Sequence, residues 1–339
     1  MGVSLKDIAE RADMSISAVS LVLGNRPNRI SKEKQELIRK IAEELNYTPP
    51  RSGGLMPRQT GKAIGVILPD LKDLFYASIA MAITNICRTN DYNIMISSTD
   101  DSKEFDLSDI KVFRSREVDG LIFCPSSNIT PSDYEEYSAA LYTLEKPVVF
   151  VDRYIPNIGF SAVTINQSRG AYYAVKHLLE LGHRNIGVIG GSTQSFSERY
   201  CGIVAACAEY LLDMSQISFF PCDLTPVGAY DIAGTVLAKG CTAVFCYNDL
   251  MAYGLYKKYH ELGIRIPKDI SIIGFNDLYY SRCFEVPLTS VNVQGDRLGF
   301  SASERIFSEL ENPNQDKQVI LLEPEISLRK STKALSGQV

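Results

Sequence analysis

The chain has 339 residues, more than one hydrophobic core usually organises, and its 45% apolar and 22% charged content is that of an ordinary globular protein of two or three units. No apolar run approaches the roughly 20 residues that cross a bilayer, and the opening MGVSLKDIAERADMS has no apolar export stretch, so no membrane association and a cytoplasmic location are expected. The formal net charge of −5 is unevenly spread: residues 1–62 hold 11 Lys/Arg against 7 Asp/Glu and the remainder 24 against 33, which predicts that only the head meets a polyanion.

The head predicts three short helices. Ser4 and Asp7 have capping-box spacing ahead of Leu5, Ile8, Ala9 and Ala12, which repeat on one helical face. Asp13 tolerates the left-handed backbone of a tight turn, and Ser15 caps a second helix through Val19, Val22 and Leu23. After the loop Gly24–Asn28, Ser31 opens a longer helix with an apolar stripe of Leu37, Ile38, Ile41, Ala42 and Leu45. Residues 47–62, YTPPRSGGLMPRQTGK, have linker composition.

From residue 62 the pattern becomes apolar runs of strand length separated by amphipathic helical segments. Eleven such runs, from AIGVILPD to QVILLEPEI, predict parallel sheets covered on both faces, and eleven strands suggest two doubly wound lobes rather than one sheet. Ligands of such sheets bind beyond the carboxyl ends of strands, where Asp70, Ser97, Ser98, Asp100, Asp152, Asn248, Asp249, Asn276 and Asp277 fall. The eight cysteines are scattered singly, without a C-x-x-C pair, and are expected to be reduced and mostly buried. His177, His183 and His260 are read as lying in exposed helical segments.

The phrases DIAERADMS with AVS and AEELNY, then IGVILPD, VDGLI, HLLELGHRNIGVIGG, YNDLMAYG, IIGFND and PLTSV, follow one another in an order that strongly resembles the lactose-repressor/galactose-repressor (LacI/GalR) family of transcription regulators. The resemblance covers essentially the whole chain. It implies an α/β protein with an all-α helix-turn-helix head (1–47), a hinge (48–62) and a two-lobed, doubly wound core (63–339) resembling periplasmic binding proteins. The lobes are expected at about 62–161 with 291–323, and 162–290 with 324–339.

In the head the resemblance implies base reading by Ile16, Ser17 and Leu21. Relatives commonly carry Arg where Leu21 stands; a leucine offers thymine methyls only apolar surface and cannot grip guanine. Ser4, Lys6, Ser15, Ser20, Asn25, Arg26, Arg29 and Tyr47 are the expected remaining DNA contacts, mainly to phosphate. Leu55 and Met56 match the apolar wedge of a hinge helix, although Gly53-Gly54 and Pro57 disfavour a helix there by about 1 kcal/mol per glycine.

In the core the implied effector contacts are Asp70, Asp73, Phe75, Tyr76, Ser98, Asp152, Arg199, Asn248, Asn276 and Asp277. Several can equally serve as helix caps. Arg199, in SERYCGIVAA, matches the family's R-x-x-G and is the strongest of them. Relatives often place two acids where Asn276-Asp277 stands, and the amide at Asn276 both donates and accepts. The expected partners are double-stranded operator DNA, a small sugar-like effector and a second copy of the chain, with no cofactor, metal or catalytic residue. Sugar phosphates and nucleobases stay open as effectors. An enzyme is disfavoured because Gly190-Gly191-Ser192 lacks nucleotide-loop spacing and no H-E-x-x-H or G-x-S-x-G occurs. A transport receptor, the other alternative, does not account for the basic head.

Overall fold

The computed structural model describes residues 5–24, 30–45, 47, 62–191 and 193–335. The chain divides into two compact units, Met1–Gly61 and Lys62–Val339.

The first unit contains α1 (Leu5–Ala12), α2 (Ile16–Leu23) and α3 (Lys32–Glu44). Ser15 and Ser31 take extended backbone and accept hydrogen bonds from the amides of Ala18 and Lys34, satisfying donors that the first helical turn leaves free. Asp13 makes the turn between α1 and α2 at φ +49°. Ile8, Val19, Val22, Ile38 and Ile41 close a small core, each burial contributing roughly 1.5–3 kcal/mol. Leu37 departs from the expected stripe and is 47% exposed. The positions at 38, 41, 42 and 45 already complete the inward face, and Leu37 lies one step of about 100° away from it.

The second unit opens with β1 (Ala63–Leu68), α4 (Leu74–Thr89), β2 (Asn93–Ser98), α5 (Lys103–Ser115), β3 (Gly120–Phe123), α6 (Tyr134–Tyr142), β4 (Val148–Val151) and β5 (Ser161–Ile165). There follow α7 (Gln167–Glu180), β6 (Ile186–Gly190), α8 (Gln194–Glu209), β7 (Ile217–Pro221), α9 (Pro226–Ala238), β8 (Ala243–Cys246), α10 (Asp249–Glu261), β9 (Ser271–Phe275) and β10 (Thr289–Asn292). The chain closes with α11 (Gly295–Glu311), β11 (Val319–Leu322) and β12 (Glu325–Ser327). One sheet has the order β11-β5-β4-β3-β1-β2 and the other β12-β10-β9-β8-β6-β7. Central strands are buried along nearly their whole length, whereas the edge strands β2 and β7 mix exposed and half-buried positions, as a sheet covered on both faces but open at its edges allows.

Three details differ from the sequence reading. β5 pairs with β4 and β11, and β10 with β9, so the chain changes lobe after Ile165 and after Asn292 rather than near 161 and 290. The eleventh apolar run yields two strands in different sheets, separated by Glu323-Pro324, where proline has no N–H for the ladder. β12 runs antiparallel to β10, so the second sheet is mixed.

His183 is buried, not exposed: its ring nitrogens lie 2.9 Å from Thr242 Oγ1 and 3.1 Å from both Ser271 Oγ and the Lys333 carbonyl. The cysteines are all unpaired, five of them buried, with Cys201 and Cys283 exposed.

Candidate functional site

In the head, α2 turns Val19 and Val22 inward, which leaves Ile16, Ser17 and Ser20 exposed and Leu21 half-buried on its outer side. Two of the expected contacts have other duties. The Ser15 hydroxyl caps α2, and the Tyr47 hydroxyl is enclosed with no hydrogen-bond partner among the described residues, its pKa raised by burial. Lys6 is exposed 3.9 Å from Glu10. Ser4, Asn25, Arg26, Arg29, Leu55 and Met56 lie outside the described residues.

In the core, strand ends bring two adjoining regions together. The first is a buried polar cluster around Arg199. Arg199 Nε donates to Gln167 Oε1 at 2.8 Å, Nη1 donates to the Tyr247 carbonyl, and the guanidinium carbon lies 3.6 Å from the Phe275 ring centroid and 4.2 Å from that of Tyr247. Asp152, at the end of β4 and 9% exposed, accepts from the Tyr76 hydroxyl at 3.4 Å. Burial pushes the Asp152 carboxyl up, while Arg153 and Arg199 pull it down, so this carboxylate belongs to both lobes electrostatically. Burial likewise lowers the Arg199 pKa, opposed by Tyr247, Asp152 and Glu198.

Arg153 was not singled out from sequence, and it organises the first-lobe half of the cluster. It donates to Asp101 at 2.9 Å and to the Tyr76 hydroxyl at 3.0 Å, while its buried Nε, 3.9 Å from Asp152, has no hydrogen-bond partner among the described residues. Burial raises the Asp101 carboxyl, but Arg153 and the Ser127 hydrogen bonds outweigh it and leave the pKa low. A signal was present, since Arg153 directly follows Asp152 at a strand's carboxyl end. Its binding partners come from separate segments, which spacing along the chain does not reveal.

The second region is a cavity of about 660 Å³, lined from the start of α4 by Phe75 and Ser78, from the loop after β9 by Asn276 and Arg282, and from the start of α11 by Gln294 and Arg297. Phe75 joins it to the first region through Tyr76, their ring centroids 5.1 Å apart. Asn276 holds φ +102°, its N–H donating to the Val291 carbonyl.

The other predicted residues are occupied structurally. Asp70 accepts from the Lys72 amide, Asp73 caps α4 through the Phe75 amide, and Ser98 accepts from the Leu71 amide; together they shape the β1–α4 loop. Asn248 caps α10 through the Met251 amide and donates to the Leu224 carbonyl. Asp277 lines the cavity but is 2.6 Å from Arg329 and accepts from the Ser327 hydroxyl.

A three-helix head with an outward α2, joined in one chain to a two-sheet core whose strand ends enclose polar and aromatic side chains, defines a DNA-binding regulator with a ligand-binding core. Residues 4–50 match the bacterial regulatory proteins of the lacI family, and residues 175–332 match the periplasmic binding protein-like domain. The chain thus joins a lacI-family DNA-binding head to a periplasmic binding protein-like core, the combination of the LacI-family transcriptional regulators it is similar to.

Relatives match over nearly full length. The HTH-type transcriptional repressor PurR of Pasteurella multocida is 29% identical over 338 residues, 98% of this chain and 99% of the relative. The ribose operon repressor of Haemophilus influenzae is 29% identical over 342 residues, again 98% and 99%. Among solved structures, a LacI family regulator of Enterococcus faecium with bound ribose is 26% identical, with a TM-score of 0.74 over 81% of this chain and 100% of that one. The lac repressor dimer bound to operator, at 24% identity and a TM-score of 0.76 over 98% and 100%, shares the fold.

Proposed function

We propose that this chain is a homodimeric transcriptional repressor whose α2 reads operator DNA and whose core senses a small hydroxylated effector. In this reading Ile16, Ser17 and Leu21 meet base edges, Lys6 and Ser20 meet phosphate, and residues 48–62 couple head to core through Leu55 and Met56. Effector binding at Phe75, Tyr76, Asp152, Arg199 and Asn276 biases the lobe arrangement, and through it operator affinity, by differential binding to two states.

The observation that carries the effector half is Arg199. A guanidinium only 5% exposed is clamped between two aromatic faces at the mouth of two sheets, with Nε committed to Gln167 and Nη1 to the Tyr247 carbonyl. Such an arrangement preorganises the remaining donors for a hydroxyl-rich ligand. The E. faecium regulator carries ribose in the same fold, and a ribose operon repressor and PurR repressors stand among the relatives, which supports a small polar effector here.

Selection of bound sites from random duplexes, repeated with and without sugars and nucleobases, tests both halves. A pseudo-palindromic site whose affinity changes with one compound and falls steeply with salt is the expected result. Duplex binding with no sequence preference would refute the regulator reading, and a sequence-selective protein indifferent to every compound would refute the sensing half.

A further inference from the structure

The two adjoining regions of the cleft differ in electrostatic character. Around Arg199 the ionisable side chains are Arg153 and Arg199 against Asp73, Asp101, Asp152 and Glu198, with Asp73, Asp152 and Glu198 all raised in pKa by burial. Acids in excess over guanidiniums that are already bonded suit hydroxyl donors and repel an added negative charge.

The 660 Å³ cavity has no such excess of acids. It is lined by Arg282 and Arg297 and by the carboxylates Asp277 and Asp296. Asp277 is shared rather than devoted to Arg282: it lies 3.9 Å from Arg282 but 2.6 Å from Arg329, and Ser327 donates to it at 2.8 Å. Among the described residues Arg297 makes only a long 3.4 Å contact, to the side-chain oxygen of Gln294 at the N-cap of its own helix. The lining itself holds two arginines and two aspartates, and one of those aspartates, Asp277, is also held by Arg329 from outside the lining. Ser78, Asn276 and Asn292 add polar groups to the same wall, and the 17-residue α11 begins there with no side-chain cap on its first turn.

We propose that this cavity takes an anionic group, a phosphate or carboxylate carried by the effector, gripped by Arg282 and Arg297 while the hydroxylated part lies towards Arg199. The inference rests on the cleft being the effector site, and it narrows the effector from any hydroxylated compound to a hydroxylated acid or phosphate ester. Guanidinium forks match either oxyanion through paired N–H groups, so the same residues serve both.

Calorimetric titration of the full-length protein with ribose, ribose 5-phosphate, gluconate and inorganic phosphate tests it. The expected result is that an anionic sugar binds at least about tenfold more tightly than ribose, that inorganic phosphate competes with it, and that Arg282→Gln/Arg297→Gln removes that margin while ribose binding stays within about twofold. Ribose 5-phosphate and gluconate separate phosphate from carboxylate. Anions that bind no better than ribose, a preference surviving in the double variant, or no competition by phosphate at millimolar concentration would each overturn the proposal. Arg199→Ala separates the two readings: if it leaves sugar binding intact while the double variant abolishes phosphate binding, the anion site stands and the effector assignment falls. Near-ultraviolet circular dichroism of each variant checks that the core remains packed.

Discussion

The guanidinium of Arg199 lies against Phe275, 3.6 Å from carbon to ring centroid, and the same ring leaves no space for a side chain at Gly170, where an added Cβ would stand 2.8 Å from it. An arginine of α8, an aromatic ending β9 and a glycine of α7 thus form one stack, so the position of the fork depends on packing as much as on hydrogen bonds.

Replacing Arg199 therefore distinguishes charge from shape. Arg199→Lys keeps the charge but loses the planar stack and the paired bonds to Gln167 and Tyr247. It is expected to abolish the effector response as fully as Arg199→Ala, with operator binding in the absence of ligand retained. Either change costs roughly 1–3 kcal/mol of stability because buried acceptors lose their donors. Operator fluorescence anisotropy with and without effector, beside urea unfolding, measures both, and a lysine variant with normal response would show that charge alone suffices.

A second test concerns the scaffold. Helices α7 and α8 cross so closely at Gly202 that an added Cβ would run into the Ser168 carbonyl and come 2.9 Å from the Tyr172 amide nitrogen. Backbone cannot swing aside as a side chain can, so Gly202→Ala must force the helices apart. A loss of about 1–3 kcal/mol is expected from overpacking, seen as a lower urea midpoint with unchanged slope. The shift also displaces Arg199, three residues earlier on α8, and should weaken effector binding; unchanged stability would refute the crossing.

Two buried groups give opposing pH dependences. Burial pushes the Asp249 carboxyl up to about 7 against the hydrogen bonds from Ser281, Ser290 and the Leu278 amide, and pushes His183 down to about 4. Between about pH 4 and 7 folded Asp249 binds more proton than the unfolded chain, so its contribution falls as pH rises through that range. Folded His183 binds less proton between about 4 and 6.5, so its contribution is lost as pH falls, on the order of 3 kcal/mol in full. Subtracting the stability of His183→Gln from wild type should give a difference rising with pH from 4 to 6.5. Subtracting that of Asp249→Asn should give one falling from 4 to 7. Equilibrium unfolding at several pH values decides, and two parallel curves would refute both assignments.

Local signals served the head and the strands well. Ser15 and Ser31 cap the helices they were expected to cap, and ten of the eleven apolar runs form one strand each because a doubly covered sheet leaves a continuous imprint. What escaped was set by tertiary partners. His183 looks like a polar helix-end residue until Thr242, Ser271 and Lys333 arrive from elsewhere, and Asp277 looks like a ligand contact until Arg329 claims it. The lobe crossings were misplaced by a few residues because apolar composition is the same in both sheets.

The operator preference is the last prediction, and it turns on one side chain. Leu21 is half-buried on the outward side of α2, beside exposed Ser17 and Ser20, and it presents only methyl groups. Apolar contact reads a thymine methyl, whereas an arginine makes two bonds to guanine, discrimination worth about 1–3 kcal/mol per base pair. Leu21→Arg should therefore convert one position of each half-site to guanine, enriched about 5- to 150-fold in selected duplexes, with flanking positions unchanged. The head should remain folded, because Val19 and Val22, with Leu23 packed beside them, supply the inward face of α2, and Leu21 is not among the side chains packed on that core. If selection with the variant returned the wild-type site unaltered, Leu21 would not face the bases, and the docking of α2 in the groove would have to be turned about its axis.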